Sequence, residues 1–184
     1  MRIIPISAKA QHGKDTLADL LKIELEKLNR KVAIFHYADY LKFVCQQYYE
    51  WDGKKNEQGR SILQKVGTDL ARKNNPNIWV NVAVEFFKAF SNSYDYILIP
   101  DTRFPNEIDV LKENFDVTSI RLVRKDFSSN LTPEQKIHPS ETALDDYLFD
   151  MYMSCLSGVG NVECLSKTIA NDLKRGEKLN EYTI

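Results

Sequence analysis

Cysteine is scarce in this chain of 184 residues, and the three present, Cys45, Cys155 and Cys164, are odd in number with no CxxC spacing. That excludes a disulfide framework and a structural zinc cluster, and leaves reduced, packed thiols. Long apolar runs are missing too: none approaches the roughly 20 residues needed to cross a bilayer, and the amino terminus has no long apolar stretch with a cleavage site behind it. A cytoplasmic protein with no membrane partner is the expectation, the host cytoplasm if the chain is phage-encoded. Nor is there an excess of one charge, since 25 basic and 26 acidic residues leave a net charge of -1. Such a chain offers no broad electropositive face to polymeric nucleic acid, although a local basic site remains open. There is no internal repeat and no low-complexity tract. What is present, 43% hydrophobic and 28% charged residues, describes one globular domain over residues 1–184.

Periodicity orders the elements. RIIPIS is a short apolar run that predicts a strand, and in DTLADLLKIELEKL the leucines 17, 20, 21, 25 and 28 recur at helical spacing opposite Lys22, Glu26 and Lys27. The next run, from Lys31 through VAIFHYA, predicts a buried strand that closes a right-handed, parallel strand–helix–strand unit. Residues 40–93 then read as a helical insertion, with YLKFVCQQYY, RSILQKVGTDLARK and NIWVNVAVEFFKAF separated by polar segments. YDYILIPD predicts a strand buried on both faces, followed by a loop and a helix in TRFPNEIDVLKENF. VTSIRLVR is the fourth strand, and the polar segment over about 124–142, with two prolines, predicts a mobile loop or lid. Beyond it the pattern suggests a short helix at Leu144–Leu148, an edge strand at YMSCL and a terminal helix at VECLSKTIANDLKR.

Between the first strand and first helix lies Ala8-Lys9-Ala10-Gln11-His12-Gly13-Lys14-Asp15-Thr16. A phosphate-binding loop belongs in that position, where backbone N–H groups and a helix N-terminus cradle phosphates and a lysine, here Lys14, neutralises their charge. The match to GxxxxGK[ST] is partial: Ala8 replaces the first glycine and Asp15 the hydroxyl residue, although Thr16 follows. The structural alternative is a turn glycine at Gly13, a helix cap at Asp15 or Thr16, and an exposed lysine. An apolar strand before the loop and an amphipathic helix after it favour the phosphate reading. Asp101 closes the third strand, where a carboxylate can hold magnesium through water, and Arg103 follows, able to grip a phosphate with two donors. Taken alone, the two could equally form a surface ion pair in a turn.

HGKDT, YADYLK, LQKVGTDLARKNNPNIWV, PDTRFPNEID and HPSETALDDYLFD together resemble the phage-type deoxynucleoside monophosphate kinases, P-loop kinases related to adenylate and thymidylate kinases. The resemblance covers most of the chain, and GKDT is the usual form in that family, although Ala8 stands where the family more often has glycine. It implies a three-layer α/β/α P-loop NTPase fold with a mostly parallel central sheet, an acceptor-binding helical insertion and a lid. It implies ATP as co-substrate, held by Ala10, His12, Gly13, Lys14, Asp15 and Thr16, and Mg2+ near Asp15, Thr16 and Asp101. The acceptor, a deoxynucleoside monophosphate, would meet Asp39, Lys42, Arg72, Trp79, Arg103 and Glu141. Lys14, with Arg121 and Arg124 at the lid, would supply the catalytic positive charge, and His138 and Ser140 belong to the same motif as Glu141. Read structurally instead, Trp79 is a core aromatic, Asp39 a helix cap, His138 an exposed loop residue and Glu141 a capping partner.

The expected reaction is in-line transfer of the ATP γ-phosphoryl group to the 5′-phosphate of the acceptor. Such chemistry needs positioning and charge neutralisation, and no Ser-His-Asp or Cys-His arrangement. Two other readings stay open: a P-loop kinase acting on another small phosphorylated metabolite or a sugar, and a nucleotide-binding module without turnover. Homodimerisation is also left open.

Overall fold

The computed structural model describes residues 1–54, 56–175 and 182–183, with Arg175, Tyr182 and Thr183 as backbone. Its centre is β1 (Arg2–Ala8), in which Ile3 points to one side and Ile4 and Ile6 to the other, all fully buried. The same alternation recurs in β3 (Tyr96–Ile99), where Leu98 joins Ile4 and Ile6 while Ile97 and Ile99 join Ile3. A sheet buried on both faces needs helices on both, and this explains why its strands read as continuous apolar runs. One face is covered by α1 (Lys14–Lys27), through Leu17, Leu21 and Leu25, and α8 (Val159–Arg175), through Leu165, Ile169 and Leu173. The other is covered by α4 (Ile78–Ala89), through Val80, Ala83, Val84 and Phe87, and by Leu111 of α5 (Pro105–Asn114).

With β2 (Val32–Ile34), β5 (Ile120–Arg124), β6 (Met151–Cys155) and β7 (Tyr182–Thr183), the order across the sheet is β2-β3-β1-β5-β6-β7. Each of these pairs is parallel. Helices on both faces of a parallel sheet make the α/β/α layering that the sequence led us to expect, and it is consistent with a P-loop kinase. Ligands in such sheets collect at the carboxyl ends of the strands, and the loops after β1 and β3 open there side by side. No helix among the described residues is long and apolar enough to cross a membrane. The three cysteines are free; Cys45 and Cys155 are buried and Cys164 is exposed.

Several elements depart from the sequence reading. The second strand stops at Ile34 because Asp101 accepts the N–H groups of Tyr37 (3.1 Å) and Ala38 (2.8 Å), which starts α2 (Tyr37–Tyr48) early. The fourth strand breaks into β4 (Asp116–Val117) and β5. At the break Thr118 still donates to Ile3, but Ser119 turns to the Asp150 carboxylate through both N–H (2.8 Å) and hydroxyl (2.7 Å). YMSCL is an inner strand, with β7 beyond it, and Leu144–Leu148 forms a turn and irregular chain, not a helix. Two short helices, α6 (Pro133–Lys136) and α7 (Pro139–Thr142), lie in the segment read as a loop.

Candidate active site

Gly13 caps α1 with φ 89°, a left-handed conformation that suits glycine, and places Lys14 on the first turn behind the loop. Lys14 bonds the Asp15 carboxylate at 2.7 Å. His36, which the sequence reading passed over, stands between two carboxylates, 3.6 Å from Asp15 and 3.7 Å from Asp39. Asp15 is held far below the usual carboxylate range by His36 and then Lys14, and burial opposes them. His36 in turn is raised, mainly by Asp15. Lys42 closes this chain of charges with a 2.6 Å bond to Asp39. Asp39 is thus paired through its side chain, and neither it nor Lys42 lines the cavity described next. Asp39 instead faces an open aromatic groove with Phe35, Tyr40, Phe43 and Phe86.

The cavity, of about 180 Å³, lies between α2, α5 and the helical segment that follows α3 (Glu57–Gln64). That segment, Lys65–Arg72, is wound as a π-helix, a form that recurs at functional sites. Its Gly67 approaches Leu41 of α2 so closely that a Cβ there would lie 2.7 Å from Leu41 Cδ2. Arg72, Trp79, Asp101 and Arg103 all line the cavity, so residues separated by thirty positions in sequence meet around one space. Trp79 is both core and lining: it is buried, and its indole N–H donates to the Gly67 carbonyl at 3.1 Å.

Glu107, also missed from sequence, organises the two arginines. Its carboxylate is 1% exposed, pairs with the Arg72 guanidinium, and accepts the N–H groups of Arg103 (2.6 Å) and Phe104 (3.0 Å). Arg72 also lies over the Phe104 ring, 4.1 Å from its centroid. Burial pushes the Glu107 carboxyl up while Arg72 pulls it back. The signal was present in Phe104-Pro105-Asn106-Glu107, a proline at the first helical position followed by an acid two residues on, but it predicts a cap and not a buried ion pair. Asp101 is raised by burial against the pull of the Ala38 and Tyr37 N–H groups, His36 and Lys14.

Around the loop, Arg121 is buried and bonds Ser7 Oγ (2.8 Å) and Asp145 (3.0 Å). Arg124 donates to the Gln11 carbonyl (3.3 Å) and Ser157 Oγ (2.8 Å), and lies 3.9 Å from the Phe127 ring centroid. His12 accepts the Arg124 backbone N–H at Nδ1 (3.0 Å), which puts its proton on Nε2; burial lowers its pKa, and Arg124 lowers it further. His12, Gly13, Thr16 and Arg124 then border a cleft of about 230 Å³ with Leu156, Val159 and Val162. His138 caps α7 by accepting the Ser140 N–H at Nδ1 (3.2 Å). Glu141 bonds Arg103 at 2.6 Å and the Ala10 N–H at 2.9 Å.

Tyr37 lines the same cavity as Trp79, yet its hydroxyl is buried without a hydrogen-bond partner among the described residues. An unpaired buried polar group costs about 1–3 kcal/mol. Y37F is therefore expected to raise the unfolding midpoint of the ligand-free protein by about 2–4 °C, from roughly 1 kcal/mol gained. Thermal denaturation by circular dichroism checks this, and an unchanged or lower midpoint would show that the hydroxyl is satisfied.

A deoxynucleotide monophosphate kinase of Enterobacteria phage T4 is 32% identical to this chain over 117 residues, 62% of the chain. The resemblance read from the motifs is borne out: the chain is similar to a phage nucleotide kinase. The matched region spans 45% of that relative, less than half its length. No family model matches the chain.

Proposed function

We propose that the chain is a deoxynucleoside monophosphate kinase, which transfers the γ-phosphoryl group of ATP to the 5′-phosphate of a deoxynucleoside monophosphate and yields the diphosphate and ADP. The observation that carries the reading is the opposition of two cationic sites, Lys14 behind its glycine loop and the Arg72–Arg103 pair gathered by Glu107 on a separate cavity. A hydrolase or a nucleotide-binding module needs the first site and has no use for the second. The printed name of the T4 relative supports the same class of reaction.

In this reading the triphosphate of ATP lies along the loop from Ala10 to Thr16 and meets Lys14, while the cleft beside Arg124 receives the adenine. The acceptor lies in the cavity with its base against Trp79 and Leu41 and its phosphate toward Arg103 and Arg72. The attacking phosphate oxygen is already ionised near neutral pH, with a second pKa of about 6, so no strong general base is required. Arg121 and Arg124 add positive charge on the donor side, and the segment over 124–142 acts as the lid that excludes water. Mg2+ suits the donor set at Asp15, an ionised oxygen ligand followed directly by Thr16, and Asp101 feels the charges of His36 and Lys14, the same two groups that pair with Asp15. Among the described residues no three His, Cys, Asp or Glu side chains form a cation cage. When bound, Mg2+ would neutralise charge that develops on the phosphates. ATP and monophosphates are cytoplasmic solutes, and the enzyme would work among them.

The decisive measurement is ADP release with ATP, magnesium and each deoxynucleoside monophosphate in turn. Acceptor-dependent ADP is expected with at least one of them. ADP formed only with a different phosphorylated metabolite or a sugar would transfer the assignment to that acceptor, and binding of ATP with no turnover would reduce the chain to a nucleotide-binding module.

A further inference from the structure

Glu141 stands where the two halves of the site meet. One carboxylate oxygen accepts the N–H of Ala10 in the loop at 2.9 Å, and the other accepts Arg103 Nη1 at 2.6 Å. Its side chain is 10% exposed, so both bonds form largely out of water. The backbone beneath is pinned as well. Lys9 Nζ reaches the Glu141 carbonyl (2.6 Å) and the Asp145 carboxylate (2.6 Å). Arg121 on β5 holds Asp145 from the other side (3.0 Å), and the Ser140 carbonyl accepts Arg103 Nη1 at 3.3 Å. Pro139 and the His138 cap fix the start of the turn that carries Glu141.

We propose that Glu141 is a positioning residue whose carboxylate spans the donor loop and the acceptor-side arginine, and so sets the separation between the two phosphate sites. The inference rests on the kinase reading and deepens it. In-line transfer is sensitive to distance, because reacting atoms must lie about 3–3.5 Å apart and a displacement of about 1 Å can cost two orders of magnitude in rate. Local contacts hold the two backbones but do not join them: Ala10 lies in the turn closed by the His12 N–H on the Lys9 carbonyl (3.2 Å), and Arg103 precedes α5 with its backbone N–H on Glu107 (2.6 Å), while its guanidinium reaches out to Glu141. A single rigid carboxylate bonded to both limits their relative movement. Arginine has five N–H donors, and the contacts to Glu141 and Ser140 engage Nη1, so the guanidinium keeps donors for a phosphate. Glu141 therefore acts through Arg103 and the loop and need not touch the acceptor itself.

The test uses E141D, E141A and E141Q in the full chain, with steady-state kinetics, calorimetric binding of ATP and of a deoxynucleoside monophosphate, and thermal denaturation. E141D keeps the charge but is one methylene too short to span both partners. A strut predicts that E141D loses about 10- to 100-fold in kcat/KM for the monophosphate, as E141A does, while ATP affinity stays within about threefold. E141Q, which keeps the length and one acceptor oxygen, should fall between E141A and the wild type. In an R103A background, E141A should add little further loss, because residues that act through one another are not additive. Near-wild-type turnover by E141D would mean that charge alone matters, and fully multiplicative losses with R103A would separate the two residues; either result overturns the proposal. Tighter ATP binding by E141A would also overturn it, for the carboxylate would then be a stand-in that phosphate displaces. Monophosphate bound without turnover by the wild type would sink the kinase reading instead, and the variants' monophosphate affinities would still judge the strut.

Discussion

Replacing Lys14 with alanine should lower turnover by about 10³-fold or more while the fold stays intact. The size follows from the work assigned to the ammonium, which must offset negative charge on phosphates in a site that excludes water, where a missing cation is not replaced by solvent. The selectivity follows from its surroundings. Lys14 is on the first turn of α1, and its partner Asp15 is largely exposed and retains His36 as a neighbour, so the loss of one partly solvated ion pair is worth about 0–1 kcal/mol. The core beneath α1, with Leu17, Leu21 and Leu25, is untouched. The measurement is the ADP-release rate at saturating ATP and acceptor, set beside the thermal midpoint. A K14A variant that turns over within tenfold of the wild type would remove Lys14 from the chemistry. A variant that fails to fold would instead make it a structural residue, contrary to its position at the edge of the site.

That the candidate phosphate loop stands out in the sequence has a physical cause. Loop, lysine and helix start are contiguous, and their flanking strand and helix have the plain periodicities of a two-sided sheet and an amphipathic helix. Asp101 and Arg103 follow from their place at the end of the third strand, Arg72 and Trp79 from motif resemblance, and all four line one cavity. What stayed hidden is what depends on tertiary meeting. Glu107 looks like a helix cap until the π-helical segment delivers Arg72 to it from 35 residues away. His36 is an ordinary strand-end histidine until α1 and α2 set Asp15 and Asp39 on either side of it. The break between β4 and β5 arises because Ser119 prefers the distant Asp150, and the absent helix at Leu144–Leu148 coincides with Asp145 serving Lys9 and Arg121. Local periodicity carries none of these partners.

Removal of Glu107 is expected to produce the largest loss of stability. Three donors converge on its carboxylate, the Arg72 guanidinium and the N–H groups of Arg103 and Phe104, and the group is buried. E107A would leave Arg72 without its counter-charge, and breaking one side of a buried pair costs about 3–5 kcal/mol. It would also leave the start of α5 with two unmatched N–H groups. E107Q separates the two contributions, because its amide oxygen can still accept the N–H groups while its NH2 faces the guanidinium with donor against donor. The expected order of stability in urea denaturation is wild type, then E107Q, then E107A. The same series should raise the KM for the monophosphate in parallel, since Arg72 and Arg103 lose the group that aims them, and leave the KM for ATP nearly unchanged because the loop from Ala10 to Thr16 makes no bond to Glu107. If ATP and monophosphate KM values rise together, Glu107 supports the fold generally and does not organise an acceptor site. If E107A is as stable as the wild type, the buried pair is not what holds Arg72, and the cation over the Phe104 ring must suffice.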